Sequence, residues 1–199
     1  MVGPTDKVAQ VAAAVFHAGD AASLAEAVEW ARVELGGGSA PSLATVRRHL
    51  ETLRQESLGL EQWRAERIER LGAIEELLQT LAYIEPDSVC YVVGRAAEGY
   101  VDATGPAHLR VVGSRVAALV ADDLEQQGFP PCEVSSLATC MGSIGVIHLN
   151  DGPLHVALAI LPEKQESHQP RSVVDGRSVA LVDEVGFRQL LESMSTDPA

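Results

Sequence analysis

A chain of 199 residues with 46% hydrophobic and 22% charged side chains suits one globular domain, or one domain with a helical extension, and excludes a disordered or fibrous protein. Its net charge of −13 is spread evenly, with 8 basic and 14 acidic side chains in residues 1–87 and 7 and 14 in residues 88–199. No basic tail or stripe results, and such a field repels nucleic acid at long range.

No apolar run approaches the roughly 20 residues that cross a bilayer. The N-terminus, with Asp6 and Lys7 before an Ala/Val stretch, lacks a signal-peptide layout, so a cytoplasmic location without membrane attachment is expected. Cys90, Cys132 and Cys140 form no CxxC pair, and reduced structural thiols are the expectation.

The first half reads as helices. Val8–Phe16 and Ser23–Leu35 are rich in Ala, Glu and Val, and Asp20 or Ser23 can cap the second. Gly36-Gly37-Gly38 closes it, glycine being the residue that accepts the left-handed turn after a helix end. Ser42–Gln55 follows, with Val46, Leu50 and Leu53 as its apolar stripe. Ser57 is placed to cap a long helix, Leu58–Ile84, in which Leu71, Ile74, Leu77, Leu78 and Leu81 recur at helical steps. Glu85-Pro86-Asp87 stops it. The apolar face of this helix, Trp63 included, reads as core, with a homodimer open if part of it stays exposed.

From Val89 the pattern changes. Val89–Val93 is a continuous apolar run that suits an interior strand and ends at Gly94-Arg95-Ala96. His108–Val112 is a short strand, and Ser114 is placed to cap a helix from Arg115 to about Gln127. Glu133–Ala138, Ser143–Leu149 and Pro153–Leu161 read as strands, the last two joined through a turn at Asn150-Asp151-Gly152. Glu163–Arg171 is polar and reads as a mobile loop, Val182–Met194 as a closing helix, and Ser195–Ala199 as disordered. The fold class is therefore α+β: a helical region, 1–87, packed on a mixed sheet with flanking helices, 88–199.

The strand ending at Gly94-Arg95-Ala96, the second strand and the helix ending at Gly128 together resemble bacterial nucleotidyltransferase-like proteins of the polymerase-β-type superfamily. The segment Ala22–Leu53, with its Leu35-Gly36 break, is similar to the helical leader of one bacterial group with such a domain. The resemblance implies a glycine turn that approaches a triphosphate, for which Gly94 and Arg95 are the candidates here. It also implies two acids one residue apart on the second strand and a third acid on a later strand. Two metal ions held by these acids would neutralise a pentavalent phosphoryl centre.

The matching positions carry no acid. The second strand offers His108 and Arg110 or Leu109 and Val111, and the later strand runs Leu154-His155-Val156-Ala157-Leu158-Ala159. The resemblance thus implies a degenerate member, a binding or interaction module with a residual nucleotide or phosphate site. Its partner would be a nucleotide or another protein, and it would need no cofactor. The alternative is an active transferase using Mg²⁺ on displaced acids, with Glu98 and Asp102 of the intervening loop as weak candidates.

Two further arrangements bear on function. His148 and His155 flank the expected hairpin turn and, with Cys132 or Cys140, would make a metal site only if they faced one another; the spacing matches no zinc pattern, and none is assigned. Ser42–Gln55 has the look of a recognition helix after a short turn, with Arg47, Arg48 and Arg54 reaching DNA. The acidic surroundings favour an amphipathic helix with a solvated basic face, and a helix-turn-helix regulator stands as a further alternative.

Overall fold

The computed structural model describes residues 3–140 and 142–196. It has an α+β fold and divides into two compact units, Met1–Ala65 with Asp102–Thr104, and Glu66–Val101 with Gly105–Ala199. No helix among the described residues is long and apolar enough to cross a membrane.

The first unit is built on three helices, α1 (Pro4–Ala18), α2 (Leu24–Glu34) and α3 (Leu43–Leu58). Small side chains allow close packing of α1 on its neighbours: Ala9, Ala12, Ala13, Ala27 and Ala31 are fully buried beside Val46 and Leu50. Ser23 caps α2 by accepting from the Glu26 N–H, and Ser42 caps α3 by accepting from the Thr45 N–H. His49 Nε2 meets Asp6 Oδ1 at 2.8 Å and ties α3 to α1. Ser57 is not the cap of the next helix. It lies inside α3, and the break comes at Gly59, whose φ of 81° an L side chain rarely adopts.

Helix α4 (Leu60–Ile84) begins in this unit. The division between the two compact units falls inside it, after Ala65. The reason is its second half: Leu71, Ile74, Leu77, Leu78 and Leu81 are all 1% exposed or less and join the core of the sheet.

The second unit holds a six-stranded sheet of β1 (Val89–Val93), β2 (Ala107–Val112), β3 (Glu133–Thr139), β4 (Gly142–Asp151), β5 (Leu154–Leu161) and β6 (Leu181–Asp183), in the order β3-β4-β5-β2-β1-β6. Only β2 and β5 are parallel, so the sheet is mixed, as the strand–helix–meander pattern predicts. Helices α5 (Ala117–Gln126) and α6 (Glu184–Thr196) complete the unit. Ser114 does not cap α5; the cap position is Val116 and makes no side-chain bond. Helix α6 runs to Thr196, two residues into the tail expected to be disordered, whose last three residues lie outside the described ones.

Alternation assigns each strand residue to a face. Cys90, Val92, Leu109, Val111, Ile147 and Leu158 point into the core shared with α4, α5 and Phe187 of α6. Burial there, with Glu184 and Glu85 adding to it, pushes the Cys90 thiol up to about 12, whereas Cys140 is exposed. A disulfide reagent on the native protein at mildly alkaline pH is therefore expected to titrate Cys140 first, and Cys140→Ser to remove that fast phase. Cys90 should react only on unfolding. A fast phase that survives in Cys140→Ser would contradict this placement.

Candidate functional site

The other face of the sheet carries the chemistry. Register places Val93, His108, Ala157 and His148 side by side across β1, β2, β5 and β4. The adjacent row is Tyr91, Arg110, Ala159, Val146 and Ser135. Two consecutive alanines on this side of β5 leave a depression between larger neighbours. The backbone supplies the width, since His108 and His148 are two strand spacings apart, about 9–10 Å between Cα atoms.

A segment after β5 roofs the depression. It contains a 3₁₀ turn (Gln165–His168) and then a tight bend closed by the Arg171–Ser178 bridge, with Gly176 at φ 69°. Expected to be a mobile loop, its first part is instead anchored: Ser167 is fully buried and its Oγ donates to the Pro162 carbonyl at 2.7 Å. The chief anchor is Arg110. Its Nη1 donates to the carbonyls of Ser167 (2.8 Å) and Gln169 (3.0 Å), and its Nη2 to that of Arg171 (2.8 Å). The Tyr91 hydroxyl meets His168 Nδ1 at 2.9 Å, and the two rings stand edge to face. Burial raises the Tyr91 hydroxyl pKa, with Asp183 adding to the effect and Arg110 opposing it.

Between floor and roof lies a cavity of about 460 Å³, within the range of small-molecule sites. Ala157, Ala159 and Val146 lie on its sheet side, and Val173, Val174 and Val179 come from the roof. Its polar groups are Arg110, His108, His148 and the serines Ser135, Ser136 and Ser172. None of the lining residues is an acid. Arg110 is 2% exposed, and burial lowers its pKa from the ordinary arginine value. A guanidinium starts so high that it remains charged at neutral pH.

The sequence-derived candidates are distributed unevenly around this cavity. Gly94 lines it with φ 68°, but its N–H already donates to the Ala180 carbonyl at 2.8 Å. Arg95 is exposed on the following 3₁₀ turn (Gly94–Glu98), its guanidinium 5.8 Å from the centre of the Tyr100 ring, which Arg67 also covers at 4.4 Å. Neither Arg95 nor Glu98 lines the cavity, and Asp102 belongs to the other unit. Sequence reasoning passed over Arg110 as a binding group. The signal for it was a lone charge inside an otherwise apolar strand.

His148 and His155 do not face one another. His148 pairs with Ala157 and His155 with Asn150, and His148 Nε2 meets Ser135 Oγ at 3.0 Å. On α3, Arg47 and Arg54 are seven residues apart and share a half-buried side, whereas Arg48 is exposed about 100° round the helix. The connection from α2 to α3 spans eight residues, 35–42, where a helix-turn-helix uses a turn of about three or four.

No protein-family model and no curated protein matches the chain. Among solved structures it is similar to a chain described as "structure of GLD-2/RNP-8 complex", at 16% identity and a TM-score of 0.34. That match covers 66% of this chain and 38% of the other.

Proposed function

We propose that the chain is a ligand-binding module on a nucleotidyltransferase-like α+β frame, with no phosphoryl-transfer chemistry of its own. The observation that carries this reading is the absence of acids among the residues that line the cavity; Glu133 and Asp183, on the same sheet face, are exposed and outside the lining. Alternate residues of β2 there are His108 and Arg110, and the β5 residues beside them are Ala157 and Ala159. The resemblance would place metal-binding acids on these strands. A buried guanidinium in their stead repels a divalent cation and attracts an anion. The module therefore works without Mg²⁺, and its ligand enters the cavity between the sheet and its roof.

A turnover assay tests this. Incubation with each nucleoside triphosphate and Mg²⁺ or Mn²⁺, followed for pyrophosphate release and for nucleotide incorporation, should show none above a no-protein control. Turnover that disappears in Asp102→Asn or Glu98→Gln would overturn the reading in favour of a transferase with displaced acids.

A further inference from the structure

The cavity has a chemical preference that follows from one side chain. Arg110 has five N–H donors, of which the roof carbonyls take three. Carbonyls offer partial charge only, and among the described residues no carboxylate forms an ion pair with this guanidinium. Glu133 is paired with His148 in register, yet it is exposed at the edge and does not line the cavity. A charge taken out of water without a counter-charge is costly, and a ligand that brings one recovers part of that cost.

The rest of the lining constrains the ligand's body. Ala157 and Ala159 make a flat floor, valines face it from the roof, and His108 and His148 stand at the two sides. Such a slot fits a planar apolar body, and its serine hydroxyls can orient a polar substituent.

We infer that the cavity takes a small organic oxyanion, a carboxylate or phosphate ester on a flat apolar body, with its charged head at Arg110 and its body over Ala157 and Ala159. This rests on the reading of the chain as a ligand-binding module. Specificity comes from charge at one end and thickness at the other. Inorganic phosphate alone, lacking the body, would bind poorly.

Calorimetric titration of the full chain with 2-naphthoate, 2-naphthyl phosphate and uncharged 2-naphthamide tests the inference. A charge-assisted hydrogen bond at a buried site should make the two anions at least about tenfold tighter than the amide. Binding should also shift the imidazole proton resonances of His108 and His148, a readout that requires no variant. Ala159→Leu thickens the floor from the side away from the roof and should abolish binding while the protein stays folded by circular dichroism. Equal affinity for acid and amide would overturn the charge preference. Unchanged binding by folded Ala159→Leu would place the ligand elsewhere and overturn the site. Failure of all three probes to bind would overturn the ligand class. A negative turnover assay alongside any of these results keeps them distinct from a failure of the module reading itself, which turnover alone would sink.

Discussion

Arg110→Met should destabilise the protein by about 2–4 kcal/mol. Methionine fills a similar volume but donates nothing, so the carbonyls of Ser167, Gln169 and Arg171 lose their donor together. Leaving a buried carbonyl unsatisfied costs about 1–3 kcal/mol, and the roof can recover some of this by lifting into water. The loss should therefore be concentrated locally. Hydrogen exchange should accelerate through 165–179, while the amides of β1, β2 and β5 keep most of their protection. Arg110→Lys should fall between the two proteins, because one ammonium cannot span three carbonyls that a planar fork reaches. Arg188, which ion-pairs with Glu75 and Glu184 on the surface, provides the contrast. Arg188→Gln should change stability by less than about 1 kcal/mol. If Arg110→Met kept both the melting temperature and the roof's protection, some other contact would be holding the segment.

The same residue explains where reading the sequence succeeds and where it stops. Val89–Val93 is legible because a run of β-branched and apolar residues ending in glycine has few other uses. The helix starts at Ser23 and Ser42 are legible because a cap acts within three residues. Residues 163–171 look mobile because their composition is polar and they hold no apolar stripe. Their order comes from a guanidinium 57 to 61 positions earlier in the chain, and no local pattern records that. The cavity is hidden for a related reason. Ala157 and Ala159 are ordinary strand residues until register sets them beside His108 and Arg110 on a parallel neighbour. Ser114 and Ser57 misled because a serine near a helix start is only a local option, and the chain placed the actual starts at Ala117 and Leu60.

Gly145→Ala should cost about 1–3 kcal/mol, although alanine usually improves a strand. Gly145 lies in β4 with an ordinary φ, so strain in its own backbone is not the cause. Its sheet face is the one that carries α5, and a Cβ added there would sit 2.5 Å from the Cβ of Ala117 and 3.7 Å from its Cα. Neither atom can rotate away. The first turn of α5 would have to lift from the sheet and loosen Val120 and Leu124, both fully buried. The compensating change identifies the mechanism. Ala117→Gly alone should cost up to about 1 kcal/mol in helix propensity, and combined with Gly145→Ala it should return most of the lost stability. Such a non-additive double-mutant cycle is the mark of two groups competing for one space. Additive losses in urea denaturation would show instead that glycine serves the β4 backbone at 145 and that the contact with α5 has slack. A coupled result would fix the distance between sheet and helix, and with it the position of β4, whose Val146 and His148 form one side of the cavity on the opposite face.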